Sequence, residues 1–136
     1  MLDVGAQSIG LNIKLADQQP QNPYITPELC FQFHYFAIRK LHLFHRSRAF
    51  VFFSGGFGTL DELFEILTLI QTSKSKPMPI ILVGQEYWEK VFDINFLVEE
   101  GVISSDDANI IIYAKDAQDA WNSIIKWHTE NKTPLF

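Results

Sequence analysis

The stretch AFVFFSGGFGTLDELFE, residues 49–65, joins a short apolar strand to a helix through a glycine-rich turn. Its first five residues are all apolar, as in a buried strand, and a helical pattern begins near Thr59. Gly55, Gly56 and Gly58 lack side chains, so backbone N–H groups of the turn can converge on an anion. The N–H groups at the start of the helix add the positive end of its dipole. The stretch therefore predicts a phosphate-binding turn.

Two familiar phosphate loops are absent from the sequence. The turn has no Gly-Lys-Ser or Gly-Lys-Thr, so it is not a Walker-type loop. It also has no GxGxxG, the usual dinucleotide fingerprint. A phosphate at this turn would be bound only by the glycine-rich backbone and the start of the helix.

A helix cap is the alternative interpretation of the same residues. Thr59 followed by Glu62 fits a capping box, in which both side chains bind backbone N–H groups and no ligand is needed. Capping does not require three glycines within four positions, so we favour anion binding. Thr59 can serve either role, whereas the two interpretations compete for Glu62. In the first turn of the helix, Glu62 would lie close enough to a bound phosphate to reach an attached sugar.

Composition narrows the class of protein. The chain has 136 residues, of which 47% are hydrophobic and 14% aromatic, enough for one globular domain over residues 1–136. The net charge of −5 and the scattered Lys and Arg residues argue against a nucleic-acid-binding surface. The single cysteine excludes an internal disulfide and suits a reducing compartment. The sequence shows neither a signal peptide nor a membrane-spanning stretch, so we expect a cytoplasmic protein that does not bind membranes.

Apolar patterns alternate between strands and helices along the chain. We predict strands at residues 8–13, 49–53, 80–83 and 110–113, and helices at residues 27–46, 59–73, 87–99 with a break at 93–95, and 116–130. A loop is expected at residues 16–27 and a capped turn at 104–107. Continuously apolar strands that alternate with helices indicate an α/β fold, a Rossmann-like parallel sheet with helices on both faces. Ligands of such sheets bind at the carboxyl ends of the strands, where the glycine turn lies.

The predicted first helix, residues 27–46, is apolar nearly all round. Thr26 can cap it, and Pro27 suits its first position. A helix without a polar face must be covered on two sides. We therefore predict a homodimer with this helix at the interface.

Two groups of side chains on that helix could carry chemistry. Arg39 and Lys40 lie among apolar neighbours, where a cation needs a partner, although Lys40 is more simply a snorkelling side chain at a helix end or a member of an ion pair with a carboxylate. His42 and His45 are one helical turn apart, but no acidic or cysteine ligand completes a recognisable metal set. We predict no metal site.

The chain resembles the LOG (Lonely Guy) family of nucleoside 5′-monophosphate phosphoribohydrolases, also described as possible lysine decarboxylases. The family signature is Pro-Gly-Gly-x-Gly-Thr-x-x-Glu with an Arg-Lys pair upstream. Here it reads SGGFGTLDE at residues 54–62, with Arg39-Lys40 before it. The likeness extends through NPYITPELCFQFHYFAIRK and PIILVG, so it covers most of the chain.

The resemblance implies a function for each matching residue. Arg39 and Glu62 correspond to the catalytic pair, and Lys40 to a substrate-binding residue. The phosphate-binding residues correspond to Gly55, Gly56, Gly58 and Thr59. The implied reaction is hydrolysis of the N-glycosidic bond of a nucleoside 5′-monophosphate, such as a cytokinin riboside 5′-monophosphate or AMP, without a cofactor. No lysine stands in a setting typical of a pyridoxal-phosphate site.

The sequence departs from the family in two places. Ser54 replaces the proline of the signature. The chain also begins near the family's third strand, so we expect it to lack the first strand–helix elements of the fold. A nucleotide-binding or phosphate-binding module without turnover is therefore the alternative function.

Overall fold

A computed structural model describes residues 5–14 and 22–135 of the chain. The backbone divides into two compact units, Met1–Ser47 and Arg48–Phe136. Of the predicted loop at residues 16–27, residues 16–21 lie outside the described residues. The prediction of one domain over residues 1–136 stays a prediction.

The first unit consists of two parallel strands and one helix. Its elements are β1 (Gly10–Ile13), a short 3-10 helix (Pro27–Leu29), β2 (Cys30–Phe33) and α1 (Phe36–His45). Strands β1 and β2 are parallel, with Gly10 opposite Cys30 and Ile13 opposite Phe33. Helix α1 contacts both strands.

The prediction of a continuous helix over residues 27–46 is wrong. The helix-start signal at Thr26-Pro27 produces only a three-residue 3-10 helix. Thr26 does not cap it, and its hydroxyl oxygen accepts a hydrogen bond from the Ser8 backbone N–H at 3.0 Å. Residues Cys30–Phe33 then pair with β1, and the ladder of hydrogen bonds outweighs the local preference for a helix.

Without a continuous helix over residues 27–46, the reason for the predicted dimer is lost. The apolar residues of the predicted helix belong to a strand and to a separate, shorter helix. A homodimer through residues 27–46 therefore stays a prediction without its original premise. Helix α1 itself leaves Phe36, Ile38 and Leu41 exposed.

The second unit is a three-stranded parallel sheet with five helices among its described residues. Its elements are β3 (Phe50–Phe52), α2 (Phe57–Gln71), β4 (Ile80–Val83), α3 (Gln85–Val91), α4 (Ile94–Glu99), α5 (Ser105–Ala108), β5 (Ile111–Ala114) and α6 (Ala117–Glu130). The strand order is β3-β4-β5, with parallel pairing throughout. The α/β, Rossmann-like fold class is confirmed. The predicted break in the helix at residues 87–99 is confirmed, but it lies at residues 92–93, between α3 and α4, and not at 93–95.

The core of this unit lies around the central strand. All four residues of β4 are buried, as expected for a strand covered on both faces. Val83, Ala114 and Ile124 form part of a cluster that joins β4, β5 and α6. Leu63 and Ile66 of α2 are fully buried.

A histidine that the sequence did not single out is also buried in this unit. In His128 of α6, ring atom Nδ1 lies 2.7 Å from the Thr133 hydroxyl oxygen, and ring atom Nε2 lies 3.0 Å from the Arg48 carbonyl oxygen. Because a carbonyl only accepts, Nε2 is the donor. His128 thus ties the end of α6 to the residues before β3.

Among residues 5–14 and 22–135, no helix has the length and apolar character needed to cross a membrane.

Candidate functional site

The glycine turn lies between the carboxyl end of β3 and the start of α2. Gly56 is the N-cap residue of α2, and its carbonyl oxygen accepts from the N–H groups of Thr59 at 3.0 Å and Leu60 at 3.1 Å. The amides of Phe57 and Gly58 come before these first intrahelical donors, so they face the space ahead of the helix. At 15 residues, α2 is long enough for a substantial dipole. This arrangement favours an anion at the turn.

The three glycines meet different steric demands. None of them has the positive φ that is found at Gly84, so the turn does not need glycine for its backbone conformation. A Cβ atom on Gly55 would lie only 2.8 Å from the Cβ of Thr59. At Gly56 and Gly58 it would meet nothing within 4 Å. Gly55 therefore permits the close approach of Thr59, whereas Gly56 and Gly58 border open space.

The capping-box interpretation is wrong for this helix. Helix α2 begins at Phe57, two residues earlier than predicted, and no side chain caps it. Thr59 is its third residue, so it cannot be the N-cap. Glu62 accordingly lies in the second turn and not in the first. Since Thr59 and Glu62 are three residues apart, they lie on the same face of α2.

Of the three carboxylates near the start of α2, Glu62 is the one aligned with the glycine turn. Asp61 is exposed, and with Glu65 it borders a shallow groove that also includes Phe64. Glu62 and Glu65 are both half-buried, and Glu62 is the nearer of the two to the glycine turn, by about one helical turn. Gly55, Thr59 and Glu62 therefore follow one another along a single side of the strand–turn–helix unit.

Tyr87, which no sequence motif singled out, also contacts the turn. Its hydroxyl donates a hydrogen bond of 2.5 Å to the carbonyl oxygen of Gly55. Tyr87 lies in α3, just after the carboxyl end of β4, which is the strand paired with β3. An aromatic donor just after the next parallel strand was the available signal, because the carboxyl ends of parallel strands lie at the same edge of a sheet.

Tyr87 also borders an open cleft at the carboxyl ends of β4 and β5. The cleft has a volume of about 450 Å³, and Tyr113 and Lys115 lie on its β5 side. Burial raises the pKa of the Tyr113 hydroxyl above its ordinary value, and the charges of Glu89 and Asp93 raise it further.

The predicted cations lie in the first unit. Arg39 and Lys40 of α1 are both half-buried, as expected for long side chains whose stems lie along apolar surface. The guanidinium carbon of Arg39 lies 5.3 Å from the centre of the Phe36 ring, a cation–π contact within one helix turn. Because Arg39 and Glu62 belong to different units, their pairing stays a prediction.

One of the two histidines of α1 has a packing role. The His42 ring packs against Phe33 of β2, with 5.4 Å between the ring centres. Within the part of the chain that the structure describes, no group of three or more His, Cys, Asp or Glu residues is placed to hold a metal ion.

Residues 1–124 of the chain match the family model described as "Possible lysine decarboxylase". The chain belongs to this family. Among its relatives are the "Probable cytokinin riboside 5′-monophosphate phosphoribohydrolase LOGL3" of Oryza sativa subsp. japonica, and LOG4 and LOG7 of Arabidopsis thaliana, both cytokinin riboside 5′-monophosphate phosphoribohydrolases. The resemblance to the LOG family is thereby confirmed.

The similarity to these relatives is partial. Identity to LOGL3 is 36% over 87 residues, covering 63% of this chain and 41% of the rice protein. Identity to LOG4 is 38% over 82 residues, covering 60% and 38%, and identity to LOG7 is 31% over 93 residues, covering 68% and 43%. The chain spans less than half the length of each of these family members.

Proposed function

We propose that this member of the family hydrolyses the N-glycosidic bond of nucleoside 5′-monophosphates to a free base and ribose 5-phosphate. The observation that carries the proposal is the alignment of Thr59 and Glu62 on one face of α2, directly behind an open glycine turn. The relatives named above are phosphoribohydrolases of one such nucleotide. Cytokinin riboside 5′-monophosphates and AMP are the substrates to test first.

The phosphate is the anchor in this mechanism. The amides of Gly56, Phe57 and Gly58 and the hydroxyl of Thr59 bind its oxygens at the positive end of the α2 dipole. This contact lies away from the bond that breaks. Its binding energy fixes the ribose over Glu62 and so lowers the entropic part of the barrier.

Glu62 acts at the reacting carbon. Cleavage of the bond between C1′ and the base nitrogen builds positive charge on the ribose, and a nearby carboxylate stabilises that charge. The electron pair of the bond leaves with the base, which takes up a proton, and water adds to C1′. Glu62 can also accept the proton of that water. Arg39 holds ligand oxygens or orients Glu62, and Lys40 contributes to substrate binding.

The test is base release from AMP and from a cytokinin riboside 5′-monophosphate, followed by chromatography. Glu62→Gln keeps the size of the side chain but removes its charge, and we expect it to lower the rate by about 100-fold or more. Glu65→Gln, one turn along the same helix, is the matched control and should retain the rate. Equal rates for the wild type and Glu62→Gln would refute the catalytic role of Glu62.

The second candidate is nucleotide binding without turnover. The observation that favours it is that the glycine turn and α2 lie within one unit, whereas Arg39, the other member of the predicted catalytic pair, lies in the other unit. In that case AMP raises the melting temperature of the wild type, yet no base is released at any enzyme concentration tested. Loss of the AMP effect in a glycine-turn variant would still locate the phosphate at the turn.

A further inference from the structure

Tyr87 forms a polar contact that joins two neighbouring strand ends at the candidate site. Its hydroxyl donates to the Gly55 carbonyl oxygen at 2.5 Å, across 32 positions of sequence. This distance lies at the short end of the range for O–H···O hydrogen bonds. The acceptor is a backbone atom of the turn itself, so Tyr87 acts on the orientation of the turn.

Neighbouring residues hold the Tyr87 ring in place. Helix α3 starts after Gly84, and the Tyr87 N–H donates to the Gly84 carbonyl oxygen at 3.0 Å. The next residue, Trp88, is fully buried, and its indole N–H donates to the Val83 carbonyl oxygen at 3.1 Å. The two rings meet edge to face, with 5.1 Å between their centres. Tyr87 is thus held by the buried end of β4 and does not depend on the turn for its placement.

The hydrogen bond determines where the next amide points. A trans peptide group is planar, so its carbonyl oxygen and its N–H point in opposite directions. With the Gly55 carbonyl directed at Tyr87, the N–H of Gly56 points away from Tyr87. The next peptide, between Gly56 and Phe57, is also oriented by a hydrogen-bonded carbonyl, because the Gly56 carbonyl oxygen accepts from the N–H groups of Thr59 and Leu60. Tyr87 therefore orients the Gly55–Gly56 peptide, and α2 orients the Gly56–Phe57 peptide.

We propose that Tyr87 is a positioning residue that aims the Gly56 amide at the phosphate of the substrate. This inference rests on the proposed function, because it requires that the turn binds a phosphoryl group. Gly56 lacks a side chain that could restrict its backbone, so without the hydroxyl the peptide is free to rotate. A rotated peptide would present the carbonyl oxygen to the anion in place of the N–H.

The test is Tyr87→Phe, which removes only the hydroxyl, with inorganic phosphate as the probe. Loss of one hydrogen bond of ordinary strength predicts a rise of about two- to tenfold in the phosphate dissociation constant. KM for AMP should rise by the same factor. The ¹⁵N resonance of Gly56 should also shift, because it reports on hydrogen bonding to the carbonyl of the preceding residue. Tyr113→Phe removes the same atom from the neighbouring strand end and should leave both constants at their wild-type values.

The outcomes separate this inference from the proposed function. If the wild type binds no phosphate and releases no base, the proposed function fails, and this inference fails with it. If the wild type binds phosphate and Tyr87→Phe binds it equally well, only the role of Tyr87 is refuted. A lower melting temperature with unchanged phosphate affinity would show that the hydroxyl merely supports the fold, and would also refute the inference.

Discussion

Gly58→Ala should stabilise the protein while weakening its binding of nucleotide. Gly58 is the second residue of α2, has no positive φ, and a Cβ atom there would meet nothing within 4 Å. An alanine fits this backbone without strain and restricts the unfolded chain, which is worth about 0.4–1 kcal/mol. The melting temperature without ligand should therefore rise by roughly 2–5 °C.

The same methyl group should interfere with the phosphate. In a helix the bond from Cα to Cβ is tilted toward the N-terminus, so the new methyl would lie beside the amides that face the anion. At a nucleotide concentration 100 times the wild-type dissociation constant, binding stabilises the wild type by about 2.7 kcal/mol. If the methyl weakens binding tenfold, this stabilisation falls to about 1.4 kcal/mol.

Thermal unfolding with and without AMP measures both quantities in one experiment. Gly55→Ala is the matched comparison, because its Cβ would lie 2.8 Å from the Cβ of Thr59. We expect it to destabilise the protein by about 1–3 kcal/mol even without ligand. The reasoning is refuted if Gly58→Ala lowers the melting temperature in the absence of AMP. It is also refuted if the AMP-induced rise in Gly58→Ala equals that of the wild type.

Two further predictions concern the second unit. Leu63→Ala should lower the free energy of unfolding by about 2–5 kcal/mol in urea titrations, because Leu63 is fully buried in α2, whereas Asp61→Ala on the exposed side should change it little. The Tyr113 hydroxyl should ionise at higher pH than a free tyrosine, in an ultraviolet titration that is compared with Tyr113→Phe. Since the pKa of Tyr113 is raised in the folded state, its contribution to stability is complete below the pKa that it has in the unfolded chain. That contribution is lost as the pH rises through its pKa in the folded protein. If Tyr113→Phe shows the same ionisation at high pH as the wild type, the assignment to Tyr113 is contradicted.

The elements of the second unit were predictable because their signals are local. The strand at residues 80–83 is continuously apolar, and the helix over 116–130 carries a clear apolar stripe after Asp116, which caps it by accepting from the Asp119 N–H. The turn at 104–107 is confirmed as a capping box of Ser104 and Asp107. These features depend on residues a few positions apart, so the sequence displays them directly.

The first unit shows where local signals mislead. Thr26-Pro27 is a strong helix start, and the residues after it are apolar enough for a helix, yet Cys30–Phe33 form a strand. The deciding partner is β1, about 20 positions earlier in the chain. Similarly, Thr59 and Glu62 fit a capping box by spacing, but α2 had already begun at Phe57.

The amino-acid sequence by itself determined the α/β class and the glycine turn, because both follow from short-range periodicity and residue chemistry. It also predicts Glu62 as the catalytic carboxylate. Only the tertiary structure decided that residues 30–33 are a strand, that Thr59 lies within the helix, and that Tyr87 binds the Gly55 carbonyl. The physical reason is distance along the chain. Parallel pairing and contacts between strand ends join residues far apart in sequence, and their energy appears only when the sheet brings them together.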